Sequence, residues 1–294
     1  MRIIMDLENT KCNNYQKNSH NKCKFCGKEL KPLGLDYLYT NISPDFIEYE
    51  RCACEKSKEF WNKVDIQIQE EKRKEHYKEI INKFYSKNCI SKRLKDYNFD
   101  NFNATDINKK VVEIAKNYTK KCIEGKQENG LIITGNSGVG KTHLVASISN
   151  ELREKDKLVL MGRLTSLLDM IRETFKDNSK SENELIELFS NIDMVVIDDL
   201  GTEKISSWAL DKLYTIIVNR NENKLPIIIT TKFDKDNLLH RFYQSNDKEL
   251  SKAIIQKLYQ MCYGIILKRY DENQKKLAQA TKLNANLIQN VKLL

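Results

Sequence analysis

Apolar residues recur along this chain in two rhythms. Five short runs, at 131–134, 158–161, 194–197, 227–230 and 265–267, are nearly continuous in Leu, Ile, Val and Met, the composition of strands buried on both faces. Between them the apolar positions follow a helical period, as in Leu144, Val145, Ile148 and Leu152. Another such stretch opens with Ser181-Glu182-Asn183-Glu184, a capping box, and continues through Leu185, Leu188 and Phe189. Strands alternating with helices predict an α/β fold with a parallel sheet covered on both faces.

Before residue 93 the texture differs. Residues 55–92 are dense in charge and poor in breakers, with a thin apolar stripe of Val64, Ile68, Tyr77, Ile80, Ile81 and Phe84, which predicts a helical connector. Residues 1–54 are polar and loop-like. The expected division is an N-terminal domain over 1–54, the connector over 55–92 and an α/β domain over 93–294, which 294 residues accommodate. The end of the chain, 273–294, carries Leu277, Leu287, Ile288 and Val291 among lysines and is expected to pack as a terminal helix.

Composition narrows the class. A hydrophobic content of 40% with 31% charged residues fits a globular protein, and no apolar run approaches the ~20 residues of a membrane span. The first ten residues are interrupted by Asp6 and Glu8, unlike a signal peptide, so a cytoplasmic location is expected, with no membrane partner. The net charge of +9 favours a polyanionic partner, although no single basic stripe stands out.

The strongest chemical signal is Gly135-Asn136-Ser137-Gly138-Val139-Gly140-Lys141-Thr142, a full G-x-x-x-x-G-K-[ST] match between an apolar strand and a helix that starts near His143. Glycines let the backbone N–H groups turn onto phosphate oxygens, and the helix N-terminus adds its positive end. These eight residues and His143 form the expected ATP-binding set, with Lys141 at the β- and γ-phosphates and Thr142 on Mg²⁺. The run 194–197 ends in Asp198-Asp199. There Asp198 is expected to hold Mg²⁺ and Asp199 to orient the attacking water, so Lys141, Asp198 and Asp199 are the candidate catalytic residues. Thr230 and Thr231 close a third strand. Thr231 is the candidate at the γ-phosphate, or a hydroxyl that satisfies loop backbone.

Cys23-Lys24-Phe25-Cys26-Gly27 and Cys52-Ala53-Cys54 supply two thiolate pairs, the soft set that tetrahedral Zn²⁺ prefers. Lys22, Lys24 and Lys28 offset the charge of such a site, and so short a segment needs a staple. Cys12 and His20 stand as alternates for one ligand. Cys89, Cys122 and Cys262 are isolated and expected as small buried apolar residues.

From about Tyr97 to Asp271 the chain resembles the DnaC/IstB group of AAA+ ATPases. The resemblance is carried by Asp96-Tyr97-Asn98-Phe99-Asp100-Asn101-Phe102, by Gly140-Lys141-Thr142-His143-Leu144, and by Ile197-Asp198-Asp199-Leu200-Gly201 with Glu203 and Ser207-Trp208-Ala209. Asn219-Arg220 and Ile228-Ile229-Thr230-Thr231 complete it. It implies an AAA+ P-loop NTPase preceded by a small zinc-binding domain, an arrangement most similar to DnaI-type and phage helicase loaders. The implied partners are a hexameric replicative helicase gripped by the N-terminal region, single-stranded DNA, and further copies of the chain assembled with ATP. An IstB-like transposition helper and a low-turnover ATP-binding adaptor are the alternatives. Two departures favour weak hydrolysis. Lys232 stands where the group usually has Asn, and Ala253-Ile254-Ile255-Gln256-Lys257-Leu258 replaces its Arg-x-x-Ser-Arg-Leu run. Lysine lacks the planar fork of an arginine finger. Lys257, Arg241 and Arg220 are the trans-acting candidates, the two arginines being read as structural.

Overall fold

The computed structural model describes residues 21–33, 49–87, 92–103, 108–174 and 182–268. Cys12, His20, Cys89, Ser181 and the 273–294 segment lie outside them. The chain forms two compact units, Met1–His76 and Tyr77–Leu294. The division falls inside one continuous helix, α1 (Glu55–Lys87), rather than at its ends. The cause is legible in the stripe. Val64 and Ile68 are only half-buried, whereas Tyr77, Ile80, Ile81 and Phe84 are buried in the core of the second unit.

In the first unit Lys22 bridges Glu29 and Pro32 bridges Tyr49, both antiparallel, around a small cluster of Cys23, Leu30 and Cys52. Among the described residues that is too little apolar surface to hold a fold alone.

In the second unit, α2 (Lys109–Ile123) precedes five strands: β1 (Gly130–Thr134), β2 (Val159–Arg163), β3 (Met194–Asp198), β4 (Ile227–Thr231) and β5 (Cys262–Ile266). All pair in parallel in the order β2-β3-β4-β1-β5. The connecting helices are α3 (Lys141–Glu154), α4 (Leu164–Thr174), α5 (Glu182–Asn191), α6 (Ser207–Glu222), α7 (Lys235–Tyr243) and α8 (Lys248–Met261). Alternate strand residues serve opposite faces. Leu131, Ile133, Val196 and Ile228 pack with α2 and α3, while Ile132, Val195, Ile197, Ile227 and Ile229 pack with α4, α5, α6 and α8. Four of the five expected runs fall within a residue or two of a strand. The fifth is displaced: β5 starts at Cys262 because it is an edge strand, with Tyr263, Gly264 and Ile266 exposed, so its signal is not a continuous apolar run.

Helix starts are secured locally. Ser206, Asp234 and Asp247 cap α6, α7 and α8 by accepting from the N–H groups of Ala209, Asn237 and Leu250. By contrast α3 begins at Gly140, which has no side chain to offer, so its first N–H groups face the loop before it.

Candidate functional site

β1 delivers the chain into the loop at 135–142 at the C-terminal end of the sheet. Gly135 has φ of 152°, and a Cβ there would lie 2.3 Å from Leu267 O, so only glycine fits. Gly140 has φ of 99° and would bring a Cβ to 3.1 Å from the Phe102 ring. The turn that exposes the N–H groups is thus enforced by neighbours on both sides.

Inside this turn Lys141 is buried and its ammonium donates to Gly135 O at 2.6 Å and Asn136 O at 2.9 Å. Burial pulls its pKa down, Asp199 and Asp198 push it back up, and the charge of Lys232 lowers it further. A partly desolvated cation beside the loop is placed to bind an anion once it releases these two carbonyls.

One residue on, the Thr142 hydroxyl donates to both Asp198 oxygens, at 2.9 and 3.1 Å. These residues are far apart in sequence and meet because α3 starts where β3 ends. Asp198 also accepts from Thr230 Oγ1 at 2.6 Å, and Thr230 Oγ1 in turn accepts from Asp199 N–H at 2.8 Å. Asp199 has φ of +58°, a left-handed conformation that a non-glycine residue adopts only when held. Here it is held by Thr230 and by the Thr202 hydroxyl, which donates to Asp199 O at 2.8 Å.

Of the two hydroxyls that close β4, the one on the carboxylate is therefore that of Thr230, not of Thr231. Thr231, expected at the γ-phosphate or on loop backbone, is fully buried and donates to Leu200 O at 2.8 Å. Strand alternation separates the two: neighbours in a strand face opposite ways. His143 lies beside the loop, stacked on Tyr97 with centroids 4.0 Å apart and Nε2 2.8 Å from Asn101 Oδ1. The 96–102 segment is thereby stapled to the start of α3, a contact for which the sequence offered a motif but no geometry.

The candidate trans-acting arginines are committed within the chain. Arg220 is fully buried and donates to the carbonyls of Phe189, Ile192, Asp193 and Pro226. Arg241 donates to Gly201 O and Thr202 O. Lys257 is half-buried on α8.

In the first unit the Sγ atoms of Cys23, Cys26, Cys52 and Cys54 all lie within 4.8 Å of one another. The Cys23–Cys54 and Cys26–Cys52 separations are 3.9 and 3.5 Å. A tetrahedral ion with Zn–S of about 2.3 Å requires S···S of about 3.8 Å, so the four residues fit zinc. Gly27, at φ of +73°, closes the knuckle by donating to Cys23 O at 2.8 Å. Burial pushes the Cys23 thiol up, but N–H groups of Phe25 and Cys26 outweigh it and bring the pKa down to about 7. Lys28 N–H lowers the Cys26 thiol, yet contact with Cys52 and burial leave it raised to about 11. Cys122 and Cys262 are half-buried, and burial pushes both thiols up to about 12, which keeps them inert.

A family model described as "IstB-like ATP binding protein" matches residues 28–280. Among curated relatives, the replicative helicase loader DnaI of Bacillus subtilis (strain 168) is 29% identical over 146 residues, 49% of this chain and 45% of that protein. The replicative helicase loader DnaC of Escherichia coli (strain K12) is 31% identical over 107 residues, 36% of this chain and 44% of that protein. The chain thus spans less than half the length of these curated relatives. Among solved structures, a crystal structure of DnaI superimposes with a TM-score of 0.52 at 26% identity, covering 61% of this chain and 95% of that one. A DnaC helicase loader gives 0.51 at 23% identity over 60% of this chain and all of that one, a likeness of fold alone.

Proposed function

Because the chain belongs to the IstB-like ATP-binding protein family, we propose that it is an ATP-switched loader of a hexameric replicative helicase. The nucleotide half of this reading is carried by one observation: the Thr142 hydroxyl lies 2.9 Å from Asp198 at the uncapped start of α3. ATP is held by the N–H groups of loop 135–142, while Lys141 exchanges two carbonyls for phosphate oxygens. Thr142 and Asp198 hold Mg²⁺, which offsets phosphate charge when bound. Asp199, fixed in its left-handed turn, is placed to orient a water, and His143 borders the loop through its stack on Tyr97. Hydrolysis is slow, since Arg220 and Arg241 are already spent on backbone carbonyls and Lys257 lacks a guanidinium fork.

The loader half is supported by the two relatives that are themselves named replicative helicase loaders. Zn²⁺ on Cys23, Cys26, Cys52 and Cys54 staples the N-terminal unit, which grips the helicase. The ATPase unit meets single-stranded DNA and self-assembles with ATP in the cytoplasm. Among the described residues no helix is long and apolar enough to cross a membrane. Residues 1–54, 55–92 and 93–294 are proposed as zinc domain, connector and ATPase, with α1 spanning the division between the two compact units. The family's name also keeps a transposition helper in view. Gel filtration of the chain with the replicative helicase of its own host, in Mg-ATP, decides. A stable complex supports the loader, whereas no complex with the helicase and capture of a transposase would move the chain to the second reading.

A further inference from the structure

From loop 135–142, α3 runs to a turn at 155–157, and β2 starts just beyond it. A cleft of about 510 Å³ lies there, at the opposite end of the sheet from the loop, between α1, α3, the start of β2 and Lys95. All its lining residues belong to the second unit. The 14 residues of α3 put it about 20 Å from the loop, so one small anion cannot serve both.

Four cations line the cleft, Lys78, Lys95, Arg153 and Lys157, against two carboxylates, Glu154 and Asp156. Lys78 is paired with Asp156 at 3.9 Å and Lys157 with Asp193 at 3.4 Å. Partly exposed pairs of this kind contribute little and yield to a stronger anion. Among the described residues no carboxylate lies within 4.0 Å of Lys95 or Arg153. The Arg153 guanidinium rests instead 4.3 Å from the centroid of the Tyr85 ring, which orients it without neutralising it. That ring is fixed, because its hydroxyl donates to Val159 O at 3.1 Å and accepts from Met161 N–H at 3.0 Å. Asn150 secures the wall that bears Lys95 by donating to Leu94 O and Tyr97 O, both at 2.8 Å. The cations are thus gathered from separate elements around one gap, and Arg153 offers the planar fork that suits phosphate oxygens. The size is that of a small-molecule site. Glu154 and Asp156 are exposed, and their charge repels a phosphodiester strand continuing out of the cleft. We propose that this cleft is a second anion site, separate from loop 135–142, for a small molecule bearing two or more phosphate groups.

The test is calorimetric titration of inorganic triphosphate, without Mg²⁺, into the full chain, a Lys95→Gln/Arg153→Gln double variant, and Lys141→Ala. The full chain is expected to show two sites. The double variant should weaken one of them about tenfold or more, and Lys141→Ala the other. Lys95→Gln alone changes only an exposed side chain and should weaken the same site to a smaller degree, which separates lost binding from lost folding. Binding that vanishes in Lys141→Ala and is unchanged in both cleft variants belongs to the loop and overturns the proposal. Displacement of the cleft-bound triphosphate by a short single-stranded oligonucleotide would overturn the small-molecule class.

Discussion

The Thr230 hydroxyl donates to Asp198 at 2.6 Å while accepting from the N–H of Asp199 at 2.8 Å, so one threonine aims the carboxylate and pins the strained residue after it. Thr230→Val keeps the shape and removes both bonds. A hydrogen bond to a charged group contributes about 1.5–3 kcal/mol, so kcat for ATP hydrolysis should fall about tenfold or more. The affinity for ATP should change less, since Thr230 reaches the loop only through Asp198. Steady-state ATPase kinetics beside equilibrium binding separate the two. A loss of affinity with unchanged kcat would contradict this role.

Lys141 is the desolvated cation of the loop. Lys141→Ala should weaken ATP binding at least about 100-fold, as expected for a buried charge on phosphate. Anisotropy of a fluorescent ATP analogue measures it, and circular dichroism checks that the fold survives.

The four-cysteine cluster should bring one zinc per chain, measured by elemental analysis of the purified protein. Metal competes with protons for the thiols, and their pKa values lie at about 7 for Cys23 and about 11 for Cys26. Apparent zinc affinity should therefore fall as the pH is lowered from 8 to 6 and rise as it is raised. Cys26→Ser should release the metal and unfold the first unit while leaving ATP binding by the second intact.

Several features of this account were legible in the sequence and others were not, for physical reasons. The runs that became β1 to β4 are buried on both faces, so they stand out as unbroken Ile, Leu and Val. β5 is an edge with half its residues in solvent, and its apolar signal is diluted. The phosphate loop is legible because glycine, lysine and threonine are each required at a fixed spacing. The choice between Thr230 and Thr231 was not, since it depends on which of them shares a sheet face with Asp198. Nor does helical periodicity tell that Tyr77 to Phe84 belong to the second unit's core, because a stripe does not name its partner.

His143 offers a second titration. Burial against Tyr97 lowers its pKa below the ordinary 6.5, against the Asn98 carbonyl, which raises it. The unfolded chain then binds the proton more readily than the folded one. Stability contributed by the stack is complete above about pH 6.5 and is lost as pH falls below it and through the lowered folded pKa. Protection factors at 96–102, corrected for the intrinsic pH dependence of amide exchange, should fall at pH 5.5 relative to pH 7.5, and His143→Phe should remove that fall.

Arg220 is a buried guanidinium on four carbonyls with no carboxylate within salt-bridge distance among the described residues. Arg220→Lys keeps the charge but leaves carbonyls unpaired, and should cost about 3 kcal/mol of stability. Denaturant unfolding of the variant measures it. A cost below about 1 kcal/mol would show that the clamp is dispensable.

Helicase loading driven by ATP at loop 135–142 is tested by mixing the chain, Mg-ATP and the purified hexameric helicase of its host with closed circular single-stranded DNA, then counting helicase retained on the circles. Retention should depend on the chain and on ATP and be lost in Lys141→Ala. Retention equal with and without the chain, or undiminished in Lys141→Ala, would contradict it.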